Sequence, residues 1–232
     1  GALTGFDLKR VKAQLAAEDD LLRAHPNSHN DANKAAAPHE GWRSLDADTH
    51  MSVGTLQAAY RAAGGVLCAV DLVLDGKASN AFAAMRPPGH HAERETAMGF
   101  CFFGNVAIAA KHALDHHGLK RVAIVDFDVL HGNGTQDLVE EDARILFCST
   151  HQSPLYPGTG AAHEAGVGNV LNVPLQDGTG SEANRDVMER VFLPRVDEFA
   201  PELLLISAGF DAHMDDPLAG MNLTTEDFGW VT

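Results

Sequence analysis

The chain has 232 residues, 45% of them hydrophobic, which suits one ordinary domain with a sizeable core. Seventeen Lys and Arg stand against 32 Asp and Glu, a formal net charge of -15 that would repel a phosphate backbone and argues against nucleic acid as a partner. The same field favours cationic ligands such as basic peptide tails or polyamines, although an acidic surface kept for solubility is an equally good account of it.

In chain order, the first fifty residues show no clear apolar period, and "HPNSHNDANKAAAPHEGW" reads as long loop. From Ser52, Leu56, Ala59, Tyr60, Ala63 and Leu67 recur at helical spacing, so residues 52–74 are expected to be a helix, weakened or broken at Gly64-Gly65. A short strand is expected over 81–85, and a helix over 105–117 ending at Gly118. Strands follow at 122–126, 145–150, 170–173 and 203–207, with Val187, Met188, Val191, Phe192 and Phe199 marking a helix before the last. "TEDFGWV" reads as a further helix start.

Cys68, Cys101 and Cys148 are odd in number, lie among apolar neighbours and form no Cys-x-x-Cys, so reduced buried thiols and a cytoplasmic setting are expected. The longest apolar run, 62–70, is short of the ~20 residues of a membrane span, and no charged-then-apolar leader opens the chain. The expectation is a protein without a membrane partner.

Near-continuous apolar strands alternating with helices predict an α/β fold with a mainly parallel sheet covered on both faces. Ligands bind such sheets beyond the carboxyl ends of the strands. Four of those ends carry polar chemistry: "RPPGHHA", "DFDVLHGNG", "STHQSPLYPGTG" and "SAGFDAHMDD". If the chain stays extended, Asp126, Asp128 and Leu130 share one face while Phe127, Val129 and His131 point the other way. Asp126 and Asp128 read equally well as loop acids capping the next helix. Asp211 supplies a further strand-end carboxylate that could meet Asp128. His90 and His91 follow a rigid Pro-Pro-Gly turn; adjacent imidazoles can act as base and acid when their far nitrogens are held differently, although an isolated His-His pair is more often just polar loop.

Two motifs are set aside. His112 and His116 are four apart, as in a zinc-protease helix, but Ala113 stands where a catalytic Glu would be, so a solvated helix face is expected. "PGTG" and "DGTG" do not form a phosphate loop.

Taken together, "RPPGHHA", "MGFCFFGNVAIAA", "DFDVLHGNGTQ", "PLYPGTG" and "SAGFDAHMDDPLAG" resemble the histone deacetylase superfamily, nearest its class II and bacterial deacetylase-like amidohydrolase members, over roughly residues 45–230. The resemblance implies a three-layer α/β/α sandwich, the arginase-deacetylase fold, and a zinc-dependent amidohydrolase that removes acetyl groups from lysine side chains or acetylated amines. It matches Asp128 and Asp211 to two of three zinc ligands and His90 and His91 to the paired catalytic histidines, with Asp126 behind His90 and Asn133 behind His91. Gly99 and Phe100 match one wall of an acyl-lysine tunnel and Tyr156 the opposing wall; Asp126, Asp128 and Ser149 resemble a potassium or sodium site.

The chain departs from the family pattern in two places. Leu130 stands where the family has its third zinc ligand, a His, and leucine has no lone pair. No Gly-Gly-Tyr loop occurs to steady an oxyanion, and neither Tyr60 nor Tyr156 is assigned that role. The expectation is one deacetylase-like domain over 1–232, cut short at its carboxyl end and open to truncation at its amino end, with impaired zinc binding and turnover. A non-catalytic acyl-lysine or polyamine binding module on the same fold is the first alternative. An arginase-like manganese ureohydrolase is the second.

Overall fold

The computed structural model describes residue 5 and residues 7–232. Four strands, β3 (Val122–Asp126), β4 (Ile145–Gln152), β5 (Val170–Leu175) and β6 (Leu203–Ser207), form one sheet in the order β5-β4-β3-β6, every pairing parallel. Val122 lies opposite Ile145 and Leu203, and Asp126 opposite Ser149 and Ser207, so all three strands deliver polar residues at one edge. A separate hairpin pairs β1 (Trp42–Ser44) with β2 (His50–Ser52).

The strand period of two divides the core. Val122, Ile124, Ile145 and Phe147 pack with α3 (Thr55–Leu74) and α4 (Asn105–Asp115), whereas Ala123, Leu146 and Cys148 pack with residues from the other helical layer. That second layer contains α6 (Ser181–Val187), a π turn (Met188–Phe192), α7 (Leu193–Phe199) and α8 (Thr225–Val231), anchored by Met188, Phe192 and Phe228. The α/β/α sandwich is therefore as expected. β6 lies at the edge of the sheet and leaves Leu204 48% and Ile206 40% exposed.

Several local expectations are corrected. The supposed loop before residue 50 contains α1 (Glu18–Leu21) and α2 (Asn27–Ala36), and α2 buries polar residues. His29 Nε2–H and Asn33 Nδ2–H both donate to the Phe102 carbonyl, at 2.7 and 3.2 Å, so the helix packs through hydrogen bonds that an apolar period cannot reveal. α3 runs unbroken through Gly64-Gly65 because those glycines serve close approach: a Cβ at Gly64 would strike the backbone of Gln14 and Ala16.

Residues 81–85 form no strand; Phe82 is exposed and the segment finds no pairing partner among the described residues. α3 also meets the length and apolarity of a membrane-crossing helix, which counting unbroken apolar residues missed, but its buried face, including Ala59, Ala63 and Leu67, joins the core beside α4. Cys101 and Cys148 are buried free thiols as expected, while Cys68 is only half-buried.

Candidate active site

Asp126 closes β3 fully buried, and both its oxygens are used. Oδ2 accepts from His90 Nδ1–H at 3.0 Å and Oδ1 accepts the Asp128 N–H at 3.1 Å. Beyond Asp126 the chain leaves the strand, so strict alternation of faces fails. Leu130, half-buried, packs against the same apolar cluster as Phe127 and Val129. Its backbone N–H still donates to Asp128 Oδ1 at 2.9 Å, while Asp211, arriving from the loop after β6, accepts the Val129 N–H at 3.0 Å.

These bonds bring Asp128 and Asp211 to one short loop. Burial drives the Asp128 carboxyl upward, the His90 charge pulls it down, and the neighbouring Asp211 and Asp126 push it up again, leaving it raised to about 7. Such crowding of carboxylates is characteristic of a place that accepts positive charge.

The two histidines are held differently. His91 Nδ1–H donates to Asn133 Oδ1 at 2.7 Å, and Asn133 Nδ2–H in turn donates to Glu93 Oε1 at 2.7 Å, which fixes the amide's orientation and hence the imidazole tautomer. His91 Nε2 is then left as a buried lone pair without a partner. His90 lies alongside, ring centroids 4.0 Å apart, with its Nε2 3.9 Å from Asp128 Oδ2.

Burial lowers the affinity of His90 for a proton, but the Asp126 and Asp128 charges outweigh it and raise the pKa to about 9. Burial, and then the charge on His90, push His91 down to about 3. Two imidazoles forced apart in this way are suited to different proton roles. His90 loses its proton only as pH rises through its raised value, and His91 gains one only as pH falls through its lowered value. Imidazole NMR of the metal-free chain should therefore show His90 cationic and His91 neutral from roughly pH 5 to 8, and a midpoint near the ordinary 6.5 for either would contradict this electrostatic account.

Gly99 and Phe100 both adopt positive φ, 55° and 65°. That conformation is uncommon for phenylalanine and leaves its side chain 56% exposed, with its N–H held by Thr49 Oγ1 at 3.1 Å. Gly99 is required twice over, by φ and because a Cβ would run into the His91 ring. Gly99→Ala should cost about 1–2 kcal/mol from the left-handed backbone alone, a fall of roughly 2–8 °C in Tm for a chain of this size, and should move the His91 imidazole resonances. An unchanged melt and unchanged resonances would remove that role.

Tyr156, 37% exposed, sets its ring edge-on to His91 at 5.2 Å, so it stands beside the histidine pair itself. Burial, followed by the Asp48 and Asp46 charges, pushes its hydroxyl up to about 12. Tyr60 instead donates to Asn30 and packs edge-on against Phe103, away from the site.

Ser149 is fully buried beside Asp126 in the sheet register, but its hydroxyl hydrogen-bonds His151 Nδ1 at 3.0 Å. Oxygen donors of this kind suit a hard cation. His131 turns away to Thr159 and Gln136, at 2.8 and 3.0 Å, and does not replace the missing imidazole at 130.

Sequence reading missed Glu93, the residue that orients Asn133, and Thr49, which holds Phe100. Glu93 lies only two residues beyond His91, a proximity that could have singled it out. Thr49 lies 51 residues from Phe100 and no local pattern points to it.

An α/β/α sandwich that gathers paired, differently backed imidazoles and two aspartates at the carboxyl edge of its sheet defines the class of deacetylase-like amidohydrolases. The chain matches the family described as Histone deacetylase domain over residues 2–232, and it belongs to that family. It is 41% identical to the histone deacetylase-like amidohydrolase of Pseudomonas aeruginosa, over 97% of this chain and 60% of that protein. It is 44% identical to the chloroplastic histone deacetylase 10 of Oryza sativa subsp. japonica, over 93% and 52%. The chain thus spans roughly half to three fifths of the length of these two relatives. The crystal structure of an HDA15 HD domain superposes on all of it with a TM-score of 0.95 at 36% identity, covering 69% of that domain.

Proposed function

We propose that this chain carries the acyl-amide site of a lysine deacetylase-type amidohydrolase in a form whose metal-dependent turnover is impaired. The observation supporting this reading is His91 Nε2, a buried lone pair with no protein partner, on a ring 4.0 Å from that of His90, whose own Nε2 lies 3.9 Å from Asp128. Leaving such an atom unsatisfied costs about 1–3 kcal/mol, a cost that water or a reacting group at the site would relieve. His91 would accept a proton at Nε2, with Asn133 and Glu93 holding the ring. His90 would stay cationic against Asp126 and Asp128. Gly99, Phe100 and Tyr156 would flank an acyl-lysine chain, and the acidic surface favours an acetylated basic peptide or acetylated polyamine over an anionic substrate.

The zinc site that the family resemblance implies is not matched by the residues present. Asp128 and Asp211 are two oxygen donors, and the third place is held by Leu130, packed into an apolar cluster. The same departure favours a second reading, an acyl-lysine or polyamine binder without turnover. Asp126, Asp128 and Ser149 offer oxygen donors for potassium or sodium, and the free thiols support a reducing compartment such as the cytoplasm.

The test is equilibrium binding of an acetyl-lysine peptide and its unacetylated form, alongside acetate release. Preferential binding with measurable hydrolysis supports the impaired enzyme, preferential binding alone supports the binder, and no preference for the acetylated form overturns both.

A further inference from the structure

The helix face set aside in the sequence is not simply solvated. His112 is buried, while His116 is exposed and His117 intermediate. His112 and His116, one turn apart on α4 and just past it, stack at 4.7 Å with their planes 12° apart. His117 sets its ring edge-on to both, at 5.3 and 5.0 Å. One ring nitrogen from each of the three falls within 4.8 Å of the others.

Asp71, from α3, completes the arrangement. Its Oδ1 accepts from His112 Nε2–H at 2.7 Å and from His117 Nε2–H at 2.8 Å. Burial raises the carboxyl's pKa, but the hydrogen bonds from His117 and His112 outweigh it and hold it below the ordinary value. Because a carboxylate oxygen only accepts, both imidazoles carry their proton on Nε2 and a lone pair on Nδ1. His112 Nδ1 is buried and has no partner, and no ring nitrogen of His116 is hydrogen-bonded among the described residues.

We propose that His112, His116 and His117 form a binding site for an imidazole-preferring divalent transition metal such as zinc, nickel or copper, with Asp71 orienting two of the rings. Imidazole is the donor these ions favour, and a ligating histidine characteristically gives its other N–H to a carboxylate. Two of the three rings already do so. Histidines near a helix C-terminus also interact favourably with the helix dipole, but that effect accounts neither for the orphaned lone pair nor for the convergence of three nitrogens.

The site is separate from the catalytic one. α4 begins at Asn105, whose side chain bonds the Pro87 carbonyl beside the histidine turn, and His116 lies eleven residues further on. At 1.5 Å per residue that is about 16 Å along the helix. A metal there would tie α3 to α4 on the far edge of the sheet.

The experiment uses untagged protein stripped of metal, titrated with Ni²⁺ and Zn²⁺ by calorimetry, with Cu²⁺ electron paramagnetic resonance to count nitrogen ligands. Three forms are compared: the natural chain, His116→Ala/His117→Ala, and Asp128→Asn/Asp211→Asn. The two histidines lie toward the surface, and thermal melts without metal confirm that the variant folds.

The expected result is a nitrogen-rich Cu²⁺ spectrum, Ni²⁺ binding near one per chain, and a loss of affinity exceeding about 100-fold in the histidine variant, beyond the 10–100-fold typical of losing a supporting group. Binding and the metal-induced rise in Tm should persist in the aspartate variant. Binding unchanged by removing the histidines, binding abolished by removing the aspartates, or no nitrogen signature would each overturn the proposal.

Discussion

Replacing Leu130 by histidine is expected to turn weak metal retention into near-stoichiometric zinc binding. The backbone at 130 is already anchored, its N–H on Asp128 Oδ1 and its neighbour Val129 on Asp211 Oδ1, so a new side chain would start from a fixed position between two carboxylates. Losing a supporting group behind a metal ligand costs 10–100-fold in affinity, and supplying a whole missing ligand should gain more than about 100-fold. A bound cation would also relieve the charge crowding of Asp211 on Asp128, which adds to the effect. Zinc per chain, measured by elemental analysis after dialysis against a weak chelator and with both forms carrying His116→Ala/His117→Ala so that the helix histidines do not contribute, checks it: well below one with Leu130 and close to one with Leu130→His. Aspartate substitutions at 128 and 211 in that background should erase the gain. Equal zinc in both forms would mean that position 130 does not face the cation, and the deacetylase reading of the site would lose its main support.

His91→Ala, made in the Leu130→His background, should then lower hydrolysis of an acetyl-lysine peptide by about 10²–10⁴-fold, the range for losing a general acid–base group. His91 has an unpartnered buried Nε2 and donates its other nitrogen to Asn133, and on the proposed reading it would serve proton transfer and not metal binding. Zinc content should remain that of the parent. The informative outcome is this split, since a simultaneous loss of zinc would reassign His91 as a structural support.

The central sheet was legible because β3 and β4 are buried on both faces and announce themselves as apolar runs. β6 was legible for the same composition although none of its side chains is fully buried. The strand-end motifs were legible because parallel strands deliver polar loops to one edge, and the structure brings His90, His91, Asp126, Asp128, Asn133 and Asp211 together there. What escaped was structure specified by distant partners. α2 has a polar buried face whose logic lies in the Phe102 carbonyl, over sixty residues away. β1 and β2 are three residues each, too short for a period. The alternation of faces expected from 126 to 131 does not carry through, because the strand ends at Asp126 and Phe127, Val129 and Leu130 all pack against one apolar cluster. His112 looked like surface because its burial depends on α3, and only the Asp71 bond reveals it.

β6 has a further consequence. On its outer side, backbone amides and carbonyls have no strand to pair with among the described residues, and Leu204 and Ile206 give that rim an oily complexion. Such a rim is adhesive by geometry alone: an additional ribbon of polypeptide, whether a continuation of the same molecule or the rim of another copy, can zip onto it without any change in the interior. Concentrated solutions of this chain should therefore self-associate through that border, and a lysine at 204 should keep them clear.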